Sequence, residues 1–478
     1  MSRLLIENAE VLVTMDSARR EIENGAVLMR DNVIEMLGDS VELNRQLDAQ
    51  GLQPDRRIDA RGCILVPGLV NCHHHLYQTL TRGIGTGAGK SLFDWLRMLY
   101  PIWALMDAEA IYISARLGLA ELMLSGATTV ADHLYLFPNG ARLDDEIRAA
   151  RELGVRFHPT RGSMSLGQSL GGLPPDSVCE DESHILADCE RVIAEFHDPA
   201  PLSMLRIGLA PCSPFSVTPE LMRKTAALAR RHPGVRLHTH LAETIDENRF
   251  CEEQFGMRPL PYMQSLGWTG DDVWFAHMVH PNAAEIDLLA ATQSGVCHCP
   301  SSNMILASGI APVREMREHG VRIGLGVDGS ASNDANQLLG EARQAMLLQR
   351  VGWPGFESRA DRFSAREALE LATLGGAAVL GRDDIGSLEA GKAADLVAYR
   401  VDGIEHAGAG GDRVAGLLTC APVNAWLSVI NGQPVIEQGE ICGLDLPALV
   451  QQHNAQSARL VQGAAQQGNR HDLSLIHI

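Results

Sequence analysis

No apolar stretch of about eighteen residues, the length a membrane-spanning helix needs, occurs in this chain of 478 residues. The opening MSRLLIENAEVLVTMD lacks the apolar core and small-residue cleavage site of a secretory signal. No membrane partner is therefore expected, and a cytoplasmic location is. A disulfide framework is missing as well. The ten cysteines are scattered, mostly in apolar, strand-like segments, as reduced thiols are. Cys297-His298-Cys299 has no second cysteine pair at zinc-finger spacing and reads as a buried strand. Net positive charge is absent: the formal charge is −19. That argues against a nucleic-acid partner, whose phosphates need a basic patch, and otherwise favours solubility. Lysine is scarce, with only Lys90, Lys224 and Lys392.

What is present is ordinary globular material, 45% apolar and 21% charged. The length suits a barrel of roughly 250–300 residues and a smaller module. Near the start, RLLIENAEVLVTM and GAVLMRDNVIEMLG alternate apolar and polar positions around turn residues. The same texture returns in IGSLEAGKAADLVAYR and AWLSVINGQPVIEQGEI. Residues 1–63 and 376–445 are thus expected to build one β-sandwich module from both chain ends, with a helical or disordered tail over 446–478. Between them, residues 64–375 alternate strands with amphipathic helices. Eight strand candidates stand out: ILVPGLVNCHH, ATTVADHL, VRFHPTRG, IGLAPCS, VRLHTHLAE, VWFAHMV, GVCHCP and IGLGVDG. Eight such repeats predict an α/β fold, a (β/α)8 TIM barrel. The long first connection, through SLFDWLRMLYPIWALM, is too apolar for a solvated loop and is expected to cover the barrel mouth.

Active sites of these barrels lie at the C-terminal ends of the strands. The first strand ends in His73-His74-His75. Alternate strand residues share a face, so His73 and His75 are expected to project together and His74 away from them. The fifth strand ends in His238-Thr239-His240 and is followed by Glu243, the sixth ends at His277, and the eighth carries Asp328. Each alone has a plain structural reading as a hydrogen-bonded strand end, a turn or a cap. Together they offer metal-ligand types at four strand ends of one barrel.

With these motifs the chain resembles the amidohydrolase superfamily. The resemblance rests on PGLVNCHHHL, HTHLAET, AHMVH and GVDGSASND in that order, with IGSLEAGKAADLVAYR similar to the family's C-terminal β-module. It implies metal ligands His73, His75, His240 and Asp328, with Glu243, His277 and Asp328 as catalytic residues. It also implies that His238 supports a ligand or packs, and that His74 is no ligand. Some members bridge two metals with a carboxylated lysine at the end of strand four. That strand here, IGLAPCSP, has none, so one divalent metal is expected. The donor set suits zinc, and iron(II) fits it too. The metal would lower the pKa of a water from about 15.7 toward 7. Asp328 would take the water proton, Glu243 would pass a proton to a ring nitrogen, and His277 would hold and polarise the attacking oxygen. The resemblance also implies a homo-oligomer.

HLAET and VDGSASN resemble the deaminase and triazine-hydrolase branch. Within it, DHLYLFPNG, RGSMSLGQSLGGLPPDSV and CSPFSVTPELM are similar to the 8-oxoguanine deaminase subgroup. That implies a small purine substrate and the conversion of 8-oxoguanine to urate and ammonia. Guanine, isoxanthopterin and azine rings with other leaving groups are the alternatives. Four residues are candidate substrate contacts. Gln78 can pair through its amide with a purine edge, or cap a loop. Trp103 can stack on the ring, or belong to the core. Arg161 can bond a carbonyl oxygen, or pair with a loop acid. Cys212 can line the pocket, or act as a small buried hydrophobe.

Overall fold

The structure is a computed structural model that describes residues 2–84, 89–351 and 357–474. Eight parallel strands close into a barrel: Leu69–Asn71, Ala127–Leu134, Arg156–Ser163, Gly208–Pro211, Arg236–Leu241, Val273–His277, Gly295–His298 and Arg322–Leu325. Each pairs with its neighbour in sequence, and the eighth returns to the first through Leu325 and Asn71. All eight fall on the runs read from the sequence, the third extending one residue past its run, to Ser163, and the eighth starting one residue before its run, at Arg322. The fold is the (β/α)8 TIM barrel expected, with helices around it and a separate sheet from the chain ends.

The run ILVPGLV, read as one strand, is divided between these two parts. Cys63–Pro67 joins the chain-end sheet, between strands Arg3–Val13 and Leu396–Arg400, whereas Leu69–Asn71 starts the barrel. Gly68 stands at the division, where only glycine fits, because a Cβ there would meet the Thr128 side chain at 2.0 Å. The expected sandwich takes the form of one hydrogen-bonded sheet of nine strands drawn from both ends. Tyr399 fastens this sheet to the barrel by donating to the Ser125 carbonyl (2.7 Å). It fits only because residue 126 is glycine, at φ +101°, where a Cβ would stand 1.7 Å from the Tyr399 oxygen.

Two further elements hold the region around the first strand end. The C-terminal helix, Leu446–Ser474, sits against the short turn Leu76–Thr81; residues 475–478 of the expected tail lie outside the described residues. His453 Nε2 meets Thr79 Oγ1 at 3.0 Å, and Ser457 donates to the Leu80 carbonyl at 2.6 Å. Behind the same turn, Asp132 accepts the Leu76 N–H (2.7 Å) and interacts electrostatically with Glu146 of helix Leu143–Leu153, both carboxyls buried. Burial pushes both upward, so the pair keeps a proton at neutral pH. A carboxyl whose pKa is higher in the fold than in the unfolded chain favours folding below the unfolded value. It loses that contribution as pH rises through the folded value. We therefore expect Tm of the parent to fall more between about pH 5 and about pH 8 than Tm of Glu146→Gln, which keeps a donor but cannot ionise. Calorimetric scans that shift in parallel for the two proteins would refute this.

Candidate active site

At the C-terminal rim, the chain stays extended beyond the first strand. Cys72 N–H bonds to Leu325 O, His73 O accepts from Asp328 N–H (3.2 Å), and His74 O accepts from His133 N–H. Buried Asn71 joins strands one and eight, accepting the Val327 N–H (2.9 Å) and donating to His73 O (3.2 Å). His73 and Asp328 are thereby brought to one place.

The histidine protons can be assigned by simple rules. A carbonyl only accepts, so His75 Nδ1–H donates to His133 O (2.7 Å) and His240 Nδ1–H donates to Cys212 O (2.6 Å). His238 Nδ1–H likewise donates to Trp274 O (3.0 Å). Its Nε2 is then an acceptor, filled by His73 Nδ1–H (2.8 Å). Burial keeps all three inward imidazoles neutral, lowering His73 well below its ordinary value, lowering His75 and bringing His240 to about 3. Each therefore presents a bare Nε2. Those of His75 and His240 face each other at 3.0 Å. Asp328 Oδ1 lies 3.2 Å from His73 Nε2 and 3.4 Å from His75 Nε2. The ring nitrogens of His73, His75 and His240 cluster, with Asp328 Oδ1 against the first two and no proton between them, which is repulsive unless a cation lies among them. The spacing suits one, since tetrahedral ligands 2.0–2.1 Å from zinc stand about 3.3 Å apart. The donor set thus fits a divalent metal.

His133, at the end of the second strand, was not singled out by the sequence. Its Nε2–H donates to Ala210 O (2.8 Å), which leaves a buried, unpartnered Nδ1 grouped with the nitrogens of His73, His75 and His240. Applying the strand-end rule to ATTVADHL as it was to the other strands would have found it. His74 stays outside the cluster, buried, with both ring nitrogens unpartnered.

Next to the bare nitrogens lie two further titratable groups. His277 Nδ1 bonds to Asn303 Oδ1 (2.9 Å), which turns Nε2 toward Glu243 (3.6 Å) and Asp328 Oδ2 (3.9 Å). Burial works against the imidazolium, but Glu243, Asp328 and the Asn303 bond outweigh it and raise the His277 pKa. Burial also raises the Glu243 carboxyl, against the opposing pull of His277. Ser308 donates to Glu243 Oε1 at 3.3 Å. Ala242, His277, Met278 and Asp328 all have positive φ, between 44° and 76°. Left-handed backbone at non-glycine residues is unfavourable, and these strand ends hold it, as functional sites do.

A cavity opens over these groups. Gln78 and Cys212 line it, as expected, and the Gln78 Oε1 is buried and unpartnered. Two other expectations are corrected. Trp103 is fully buried under helix Leu92–Trp103; its Nε1–H donates to Thr81 Oγ1 (3.1 Å) and its ring packs on Tyr77 and Tyr100. Trp95 and Tyr100 of the same helix line the cavity instead. Arg161 falls on the helix-facing side of its strand, where it pairs with Glu180 (2.7 Å) and Asp188 (2.9 Å). The plain alternatives, core and ion pair, hold for these two. We expect Arg161→Met to lower stability by roughly 1.5–3 kcal/mol, because it removes charge-assisted hydrogen bonds from a buried guanidinium to the half-buried Glu180 and Asp188, while kcat/KM of the folded enzyme stays near that of the parent. Denaturant melts and steady-state rates check both halves.

A closed barrel with a cluster of histidines and an aspartate able to hold a cation at its C-terminal rim, beside a buried glutamate and histidine, fits a metal-dependent hydrolytic enzyme. Comparison with known proteins makes the assignment specific. The model of the amidohydrolase family matches residues 64–416. The chain is 45% identical to the 8-oxoguanine deaminase of Pseudomonas aeruginosa, over 97% of this chain and 100% of that one. It is 37% identical to a hydroxydechloroatrazine ethylaminohydrolase of Pseudomonas sp. (strain ADP), over 97% of each. Among solved structures, atrazine chlorohydrolase from Arthrobacter aurescens TC1 complexed with zinc superposes with a TM-score of 0.88 at 35% identity, covering 95% of this chain and 100% of that one. The chain belongs to the amidohydrolase family. Among the described residues, no helix is long and apolar enough to cross a membrane.

Proposed function

We propose that this enzyme hydrolytically deaminates an oxidised purine, converting 8-oxoguanine and water to urate and ammonia. The observation that carries this reading is end-to-end similarity at 45% identity to an 8-oxoguanine deaminase. It is supported by a cavity that places a side-chain amide, Gln78, beside the acid–base groups. In this reading His73, His75, His240 and Asp328 hold one divalent metal, for which zinc suits the donors and iron(II) is the alternative. When bound, the metal supplies Lewis-acid activation of water.

The protein's own groups do the rest. Asp328 accepts the proton that the attacking water gives up. Glu243 delivers a proton to the ring nitrogen next to the amino-bearing carbon. His277, its Nε2 directed inward by Asn303, donates a hydrogen bond to the incoming oxygen and stabilises negative charge developing there. The C–N bond to the exocyclic amine then breaks, and the amine leaves as ammonia after protonation. Gln78 pairs with the purine edge through its free Oε1, and Cys212 closes the pocket beside His240.

A second reading is favoured by similarity to the ethylaminohydrolase and to the chlorohydrolase structure: the same groups would displace an amine or chloride from an azine ring. Ammonia release from 8-oxoguanine, guanine, isoxanthopterin and cytosine, with chloride release from a chlorotriazine, separates the readings. Preference for 8-oxoguanine with urate formed is the expected result. Turnover of another base would keep the mechanism and replace the substrate, and turnover of the triazine alone would support the second reading. Silence on every compound would remove the proposed substrate class.

A further inference from the structure

Thr244-Ile245-Asp246-Glu247 has the spacing of a capping box, in which the glutamate at the third helical position bonds back to the N-cap's own N–H. Thr244 caps helix Ile245–Phe255 by accepting the Glu247 N–H (3.3 Å). The Glu247 carboxylate, however, passes Thr244 and reaches the two residues before it. Oε1 accepts the Ala242 N–H and Oε2 accepts the Glu243 N–H, each at 2.9 Å.

Those two amides belong to the turn that aims Glu243. Ala242 is left-handed there, at φ +51°, a conformation unfavourable for alanine. On the other side of the turn, Ala242 O accepts the N–H groups of Val279 and His280, and Leu241 O accepts that of Met278. The turn is thus held between the segment following His277 and the Glu247 carboxylate. The Glu243 carboxylate itself has little side-chain restraint: one hydroxyl at 3.3 Å and His277 at 3.6 Å. Its direction comes from its backbone.

We propose that Glu247 is a positioning residue for the reaction, fixing the Ala242–Glu243 turn so that the Glu243 carboxylate stays directed at the reacting atoms. The inference rests on the proposed role of Glu243. It requires a carboxylate at 247, because one group must accept two N–H bonds at once. Glutamine is isosteric but sets an NH2 against one of them, leaving that amide unsatisfied.

The test uses metal-loaded enzyme and the base that the panel shows to be turned over. Glu247→Gln should lower kcat by up to roughly 100-fold, the scale of an ångström-sized misplacement. KM and bound metal should stay within about twofold of the parent, as for a group acting only through the transition state. If Glu247 acts through Glu243, the double variant Glu243→Gln/Glu247→Gln should be no slower than Glu243→Gln alone. Parent-like kcat in Glu247→Gln, a change confined to KM, or additive losses would each overturn the inference. Full activity of Glu243→Gln would overturn the underlying reading and the inference with it. An inactive Glu243→Gln beside an intact Glu247→Gln would overturn the inference alone. Should Glu247→Gln not fold, Glu247→Asp, one methylene shorter, must show the same kcat-selective loss. Amide hydrogen exchange needs no turnover. The Ala242 and Glu243 amides should be protected in the parent and exchange faster in Glu247→Gln, and unchanged protection would count against the proposal.

Discussion

Purified after growth with zinc, His73→Ala and His75→Ala are expected to come out essentially metal-free and inactive, and His74→Ala to carry the parent's metal and most of its activity. The three residues are consecutive and chemically identical, so only geometry can separate them. The backbone continues in extended form past Asn71, bonding alternately to strand eight and strand two. His73 and His75 consequently turn their bare Nε2 atoms toward Asp328 Oδ1, at 3.2 and 3.4 Å. His74 points away, buried, with neither ring nitrogen engaged. Loss of a residue that merely orients a ligand costs roughly 10–100-fold in metal affinity, and loss of a ligand should cost more. His74→Ala should instead lower Tm, because it leaves a cavity. Metal analysis of the three variants decides the matter: a metal-free His74→Ala beside a loaded His75→Ala would show that the assignment of faces is wrong.

Glu243→Gln is expected to lower kcat by roughly 10²–10⁴-fold, the range of a positioned proton-transfer group, with bound metal and fold retained. Glutamine keeps the size of the side chain and can still accept the Ser308 hydroxyl, but it cannot exchange a proton with a ring nitrogen. The expectation is specific because Glu243 is not among the converging donor atoms. A loss of activity that tracked a loss of metal would place Glu243 in the wrong role, and a variant within about twofold of the parent would remove it from the mechanism. Steady-state rates and metal content measured on the same preparation check both.

Most of the architecture was legible because it depends on local pattern. Apolar runs bounded by turn residues, alternating with helix-period segments, can bury both faces of each strand only in a wrapped parallel sheet. His73, His75, His240, His277 and Asp328 could be named because residue type and position at a strand end are both local properties. What was misjudged concerns direction. Trp103 and Trp95 lie on one helix, and which of them faces the cavity depends on how that helix rotates against Tyr77 and Thr81. Arg161 sits at a strand end like the others, but its side chain falls on the outer face, where Glu180 and Asp188 wait. His133 ends its strand as the others do, and its position there was legible; that its imidazole meets those of three other strand-end histidines is decided only by the closed barrel.

The same boundary runs through the chemistry. Which side chains can bind a cation is written in the order of the residues. That the imidazoles of His73, His75 and His240 all present bare Nε2 atoms is not. It follows from the acceptors at their other nitrogens, the His133 and Cys212 carbonyls and, through His238, that of Trp274. Those acceptors arrive from other strands when the barrel closes. A neutral imidazole has one proton for two nitrogens, so fixing the proton at Nδ1 from outside leaves Nε2 free inside. Closure of the barrel thus turns a set of histidines into a donor set able to hold a metal.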